Sequence, residues 1–396
     1  MAPSDNTLWN SQYIKVMTSN FLLFFAFYLL TPLLPIYRAT QFNTPKDIIG
    51  IVLSGYIIAT LVVRPFSGFI VDTFNRKKVL TICFFVFFIC FAGYIGASTL
   101  LMFAIIRTIH GLPFGASTVA NSTVAIDVLP SARRNEGIGY YGLSNNLAMA
   151  VAPTAGIYIY HATNNFTLLF WLSLILAFLG FIVTTRVQLP ARQPIPGKPK
   201  ISLDRFFLTR AWLMAINISL FGLCWGALSN YVAIFGREAL GITNGTGAFF
   251  ALLSIGLVMS RLSGAKALRQ GHIVESCTRG VVISLIGYAL FAAELGKFSF
   301  YLSPLLIGLG NGRMYPAFLN MFIKVARNDQ RGTANSSILI SWDLGMGIGI
   351  IFGGFFVQYI SYTAAFIAVA AMQATGSALY IFATRQFFSK RRLDLP

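Results

Sequence analysis

Residues 144–156 read SNNLAMAVAPTAG, and residues 341–353 read SWDLGMGIGIIFG. Displaced by 197 positions, Ser144, Leu147, Met149 and Gly156 meet identical residues in Ser341, Leu344, Met346 and Gly353. Ala148, Ala150 and Ala152 meet Gly345, Gly347 and Gly349, and Val151 meets Ile348. The small residues Ala148, Ala152 and Gly156, like Gly345, Gly349 and Gly353, recur every four positions and so share one face of a helix. In lipid such a smooth stripe is how helices associate, because apolar side chains gain little by leaving apolar surroundings. Two matching helices imply a duplicated membrane protein whose halves meet along them. The competing reading is chance likeness between two Gly/Ala-rich apolar segments, and the remainder of the chain argues against it.

The 396 residues are 56% hydrophobic and 11% charged, with a mean hydropathy of +0.71. Soluble domains carry about 25% charged residues. The apolar residues fall in runs of roughly 20, long enough to cross a hydrocarbon core of about 30 Å. Such runs lie near 13–37, 47–71, 77–97, 100–127, 138–160, 165–186, 211–236, 246–265, 279–296, 300–324, 335–359 and 362–384. They are continuously apolar and lack period-two alternation, which favours helices over barrel strands. No cleavable leader is expected, since no basic patch precedes a short apolar core.

A net charge of +18 raises the question of a nucleic-acid partner, which the location of the charge argues against. With the N-terminus inside, Arg38, Lys46, Arg237 and Lys297 fall outside, Arg64, Arg107 and Arg313 fall within spans, and the other Lys and Arg residues are cytoplasmic. This is the positive-inside pattern, with anionic lipid as the partner of the basic surface. The expected location is a cell membrane, the inner membrane of a bacterium, with both termini cytoplasmic as an even number of spans requires. Cys83, Cys90, Cys224 and Cys277 show no paired or metal-type spacing.

Residues 187–210, VQLPARQPIPGKPKISLDRFFLTR, are rich in proline and basic residues and lack a long apolar run. They read as a cytoplasmic linker with a short surface helix near 203–208, dividing a first six-helix bundle (1–186) from a second (211–396) that ends in a basic tail. Further echoes support the duplication. Residues 64–68, RPFSG, resemble 261–264, RLSG, and residues 134–137, RNEG, resemble 330–332, QRG.

Four local patterns bear on function. Residues 68–78, GFIVDTFNRKK, hold Gly68, Asp72, Asn75, Arg76 and Lys78 in the loop after the second span. Its turn calls for a residue that tolerates positive φ, and Asn75 meets that need. Residues 107–115, RTIHGLPFG, place Arg107 and His110 inside the fourth span. An Arg there costs around 2.5–3.5 kcal/mol on insertion scales, so it faces protein or water. His110 belongs to the residue type that titrates in the physiological range, although a lone His also serves as a packing residue. In residues 148–156 Pro153 removes a backbone bond and bends the helix. Asp343, whose counterpart is Asn146, lies mid-way along the eleventh span. It is either a proton-exchanging group or a fixed partner of an Arg.

Together with the helix number and the central linker, these residues resemble the major facilitator superfamily, in its twelve-helix drug/proton antiporter-like (arabinose-efflux-permease-like) branch. The resemblance implies an all-α membrane protein of two pseudo-symmetric six-helix bundles. Residues 68–78 are similar to the family's Gly-x-x-x-Asp-x-x-Gly-Arg-x-Arg/Lys signature, with Asn75 for Gly and Thr73 for a basic residue. That likeness implies a latch in which Asp72 meets the start of helix 11 and Arg76 pairs with Asp127. Residues 107–111 resemble Arg-x-x-Gln-Gly, with His110 for Gln. Residues 148–156 resemble the antiporter pattern Gly-x-x-x-Gly-Pro-x-x-Gly, with Ala for the two leading glycines. The family reading makes Asp343, Arg107 and His110 candidates for proton coupling. Arg313, Asn146, Asn311, Trp225, Tyr231 and Trp342 are candidates for lining a substrate cavity.

The implied function is secondary transport by alternating access: proton-coupled efflux of a small organic or drug-like molecule, as an antiporter. The alternatives are proton-coupled uptake of a sugar or organic anion, and a non-transporting receptor or scaffold. A monomer is expected, as are small-molecule and proton partners, and neither a cofactor nor a metal. No Gly-x-x-x-x-Gly-Lys-Ser/Thr loop is present to support ATP drive. The scattered His110, His161 and His272 give an enzyme little to work with.

Overall fold

A computed structural model describes residues 7–31, 33–34, 46–190, 203–238, 240–241 and 245–393. Among them the chain forms twelve long helices and no strand. In order these are α1 (Ser11–Leu30), α2 (Lys46–Thr73), α3 (Arg76–Gly96), α4 (Leu100–Asp127), α5 (Arg134–Thr163) and α6 (Phe166–Thr185). The second series is α7 (Trp212–Glu238), α8 (Gly245–Arg269), α9 (Ile273–Ala292), α10 (Lys297–Val325), α11 (Arg331–Tyr359) and α12 (Tyr362–Leu379). A single helical turn, Leu203–Phe206, lies in the expected linker. Residues 191–202 of that linker, the end of the first apolar run beyond residue 34, Arg38 and the first residues of the N-terminal tail lie outside the described residues.

Short polar side chains set the helix starts. Asn10, Asn75, Thr99, Asn165 and Ser361 each accept a bond from the amide three residues on, satisfying a donor that the first turn leaves open. Asn164, in the left-handed region at φ 50°, ends α5. Most of the helices are apolar all round, as membrane spans are. On α3, Leu80, Phe84, Phe87, Phe91 and Tyr94 are buried in protein, while Ile82, Phe85 and Ile89 are exposed on the other side.

Ten of the twelve helices are both long and apolar enough to cross a bilayer. The other two, α5 and α10, have the length but carry more polar groups, among them Asn145 and Asn146, then Asn311, Arg313 and Asn320. The ninth helix begins earlier than the apolar run at 279–296 suggests, because its first turns are amphipathic. Ile273 and Cys277 are buried while Glu275 and Arg279 are exposed. It ends early because Glu294 and Gly296 adopt positive φ.

Packing divides the chain into two compact units. The first comprises residues 1–133, 144–206 and 329–336, and the second 134–143, 207–328 and 337–396. The helices α5 and α11 are thereby shared, each with its first turns assigned to one unit and its remainder to the other. The wiring is the same in both units. In the first, α2 and α3 pack on α4, and α1 and α3 pack on α6. In the second, α8 and α9 pack on α10, and α7 and α9 pack on α12. The duplication heard in the sequence is therefore a duplication of helix neighbours.

The small-residue stripes act inside the units. A Cβ on Gly349 would strike the carbonyl of Leu223 on α7, and one on Gly345 would strike that of Ser219. The close approach lets Ser219 Oγ donate to the Ser341 carbonyl at 2.7 Å. In the first unit Gly156 faces the Leu29 carbonyl of α1 in the same way, with Ala148 and Ala152 fully buried. The stripes thus seat α5 on α1 and α11 on α7, where the sequence suggested that the two halves meet along them. Arg64, within the second span, is only 5% exposed, and its counterpart Arg261 is 7% exposed.

Candidate functional site

The strongest polar constellation is built around Asp72, in the last turn of α2. Its carboxylate is 1% exposed and fully engaged. Oδ1 accepts from the Gly332 amide at 2.8 Å and from Arg76 Nη2 at 3.0 Å. Oδ2 accepts from the Thr333 amide at 2.8 Å and the Thr333 hydroxyl at 2.9 Å. Those amides belong to the first turn of α11, whose N–H groups lack helical partners and whose dipole favours an anion. Gly68, one turn earlier on α2, makes the approach possible, since a Cβ there would stand 2.9 Å from Thr333 Cα. Arg76 Nη1 pairs with Asp127 Oδ2, and Asp127 Oδ1 accepts from Arg331 Nη1 at 3.2 Å. Two carboxylates and two guanidiniums thus alternate, so a charge-balanced network ties the C-terminal ends of α2 and α4 to residues 331–333. Beside it, Asn335 Nδ2 donates to Thr123 Oγ1 at 3.0 Å, and Arg205 pairs with Asp329 at 2.9 Å.

Asn75 differs from its expected use. Its φ is −64°, not positive, and its Oδ1 accepts the Lys78 amide at 3.1 Å. The residue starts α3 as an N-cap. Its merit here is the side-chain acceptor, not tolerance of a left-handed backbone. The Lys78 side chain is exposed.

A second constellation lies within the helices of the first unit. The Arg107 guanidinium stacks over the Tyr56 ring, 4.1 Å from its centroid, with Phe27 at 5.5 Å. Its Nη1 reaches the Tyr94 hydroxyl at 3.5 Å, and that hydroxyl pairs with His110 Nδ1 at 2.9 Å. Phe87 and Phe91 enclose the imidazole, whose ring centroid is 4.7 Å from each of theirs. His110 is fully buried, and its Nε2 has no partner among the described residues. Tyr56 and Tyr94 were not singled out from the sequence. Tyr94 was legible there, because it continues the buried Phe84–Phe87–Phe91 face of α3 and ends it in a hydroxyl.

In the second unit a neutral cluster joins α9, α10 and α12. Asn311 on α10 accepts from Ser284 Oγ of α9 at 3.0 Å, and Gln373 Nε2 of α12 donates to that Oγ at 3.2 Å. The remaining candidates are spread out. Asp343 is half-buried mid-way along α11. Trp342 packs edge-on against Tyr315 at 5.3 Å. Tyr231 donates to the Ile350 carbonyl at 2.9 Å, and Trp225 packs on the apolar core of its unit. Asn146 is half-buried, with Nδ2 unpartnered among the described residues. Arg313 donates to Ser263 Oγ at 2.8 Å, between α10 and α8. A buried ladder that sequence reading passed over joins Asn121 to Asn20 and Asn20 to Ser144. Buried Asn side chains in spanning helices are costly enough to be noticed as a signal.

A sequence profile of the Major Facilitator Superfamily matches residues 16–275 and 276–393. The chain is 24% identical to the staphylopine export protein of Staphylococcus aureus, over 85% of this chain and 87% of that one. It is 22% identical to the uncharacterized MFS-type transporter YhhS of Escherichia coli, over 92% and 90%. Among solved structures, the transporter FucP in its outward conformation superposes with a TM-score of 0.79 at 14% identity, covering 95% of this chain and 99% of that one. The human organic anion transporter MFSD10 superposes at 0.78 and 15% identity, over 93% and 98%.

Proposed function

The chain belongs to the major facilitator superfamily, a family of transporters rather than enzymes, and we propose that it is a proton-coupled exporter of a small organic molecule, working by alternating access. The observation that carries this reading is the buried Arg107–Tyr94–His110 chain. It sets a titratable ring and a fixed cation on either side of one hydroxyl, inside the membrane-spanning helices. Movement of a proton on or off His110 is then felt by Arg107 across the Tyr94 hydroxyl. Asp343 supplies a second proton-exchanging group from α11. The Asp72 network serves as the gate, held when the first turn of α11 is docked and released when it is not. The outward direction is supported by the relative named for staphylopine export. The distribution of Lys and Arg supports cytoplasmic termini, and the bacterial relatives support a bacterial inner membrane. The protein works as a monomer in this reading.

The test is reconstitution into liposomes with compounds selected by their effect on the protein's thermal midpoint. The active compounds should accumulate against their gradient only when a pH gradient is imposed. His110→Ala and Asp343→Asn should abolish accumulation while leaving counterflow exchange. Accumulation that ignores the pH gradient, or that survives both substitutions, refutes proton coupling through these groups. Accumulation in the opposite orientation identifies the protein as an uptake carrier, and a sugar or organic anion among the active compounds fixes its class.

A further inference from the structure

At one end of the second unit, where α8 turns into α9 through Gly271, the helices α8, α9 and α10 enclose a cavity of about 260 Å³. Three cationic side chains converge on it, one from each helix: Lys266, Arg279 and Arg313. One acid, Glu275, shares the lining, and its Oε2 lies 3.7 Å from His272 Nδ1. None of the three cations has a carboxylate partner among the described residues. Arg279 and Arg313 therefore repel one another across the cavity. Ser263 Oγ holds one end of the Arg313 guanidinium at 2.8 Å, while its Nε is buried and unpartnered among the described residues. On the same wall Ser276 is 1% exposed, and its hydroxyl also has no partner among the described residues. The N-cap residue of α9, His272, makes no side-chain cap bond, so the positive end of a 20-residue helix also opens here.

We propose that this cavity binds a phosphate-type oxyanion, supplied either as the phosphodiester headgroup of an anionic lipid or as free phosphate. The chemistry fits on three counts. A tetrahedral anion accepts bonds from several directions at once, and here the donors come from three helices. Two guanidiniums present planar pairs of N–H groups, which suit phosphate oxygens better than chloride. A bound anion also relieves the repulsion between Arg279 and Arg313 and gives the Ser276 hydroxyl an acceptor, which removes the cost of a buried unsatisfied polar group.

The full chain, purified in a neutral detergent, is titrated with inorganic phosphate against chloride at constant ionic strength, reading the thermal midpoint. In parallel, native mass spectrometry counts lipids retained from bilayers of phosphatidylglycerol or of phosphatidylcholine. Phosphate should raise the midpoint, or phosphatidylglycerol should be retained in preference to phosphatidylcholine. A response in the lipid arm alone assigns the site to a headgroup, and a phosphate response assigns it to a free anion. Arg279→Gln changes an exposed side chain and leaves the fold standing. It should weaken the responding arm roughly ten-fold, as loss of one charge-assisted bond does. Ser276→Ala should weaken it less, and Arg313→Gln at least as much. If chloride matches phosphate and phosphatidylcholine matches phosphatidylglycerol, or if Arg279→Gln behaves as the parent does, the site does not exist.

Discussion

Asp72→Asn is the sharpest perturbation the structure offers. The carboxylate accepts two amides, one hydroxyl and one guanidinium nitrogen in a site that water barely reaches. Asn keeps the shape and one acceptor oxygen, but turns the other into a donor facing donors. Hydrogen bonds to a charged group contribute roughly 1.5–3 kcal/mol each. Two of them are lost on one oxygen, and rotation of the amide recovers a part. A net loss of about 3 kcal/mol lowers the ratio of docked to released α11 start by roughly 100-fold. Thr333→Val removes only the hydroxyl contact and should lower it by roughly five-fold, for a loss of about 1 kcal/mol. The direct readout is hydrogen exchange at the Gly332 and Thr333 amides, which should quicken in that order of severity. If amide exchange in Asp72→Asn matches the parent, Asp72 is not a latch.

Three other outcomes follow from the geometry. Asn75→Ala should lower stability by about 1 kcal/mol through loss of the α3 cap, while Asn75→Asp should be close to neutral; a stabilising Asn75→Gly in chemical or thermal unfolding would restore the left-handed turn instead. Gly349→Val should depress the yield of folded protein in size-exclusion profiles, because its side chain meets the Leu223 carbonyl, whereas Ala152→Gly should be tolerated. Arg107→Lys should fail to support pH-driven accumulation in liposomes, since an ammonium neither stacks flat on Tyr56 nor spans to Tyr94; full activity would show that charge alone suffices.

Most of the architecture was readable because a membrane imposes it. Runs of about 20 apolar residues have few ways to fold in lipid, and a stripe such as Gly345–Gly349–Gly353 announces a close neighbour. The identity of that neighbour was not readable. Spacing shows that a backbone comes near Gly349 but cannot say whether it is Leu223 of the same unit or a helix of another. Asp72, Arg76 and Asp127 come together through a pattern of charges at helix ends that sequence displays well. Asn75 shows the opposite limit, since Asn suits both a left-handed turn and an N-cap, and only the backbone angle decides. Arg107 and His110 stood out as polar groups among apolar ones, whereas Tyr94, which joins them, sits in another helix and is marked only by its place at the end of the Phe84–Phe87–Phe91 face. Arg313 was legible as a cation within a span, whereas its direction toward α8 depends on rotation about the α10 axis.

The separation of Asp72 from its partners along the chain has a consequence for how the protein is made. Gly332 follows it by 260 residues, so at about 5–20 residues per second the ribosome needs roughly 13–50 s to deliver the amides that this carboxylate accepts. Through that interval the first six helices are already in the bilayer with an acidic side chain awaiting its clasp. A polypeptide halted after residue 210 never receives it, so the first six helices hold that carboxylate with Arg76 as its partner until the eleventh helix emerges.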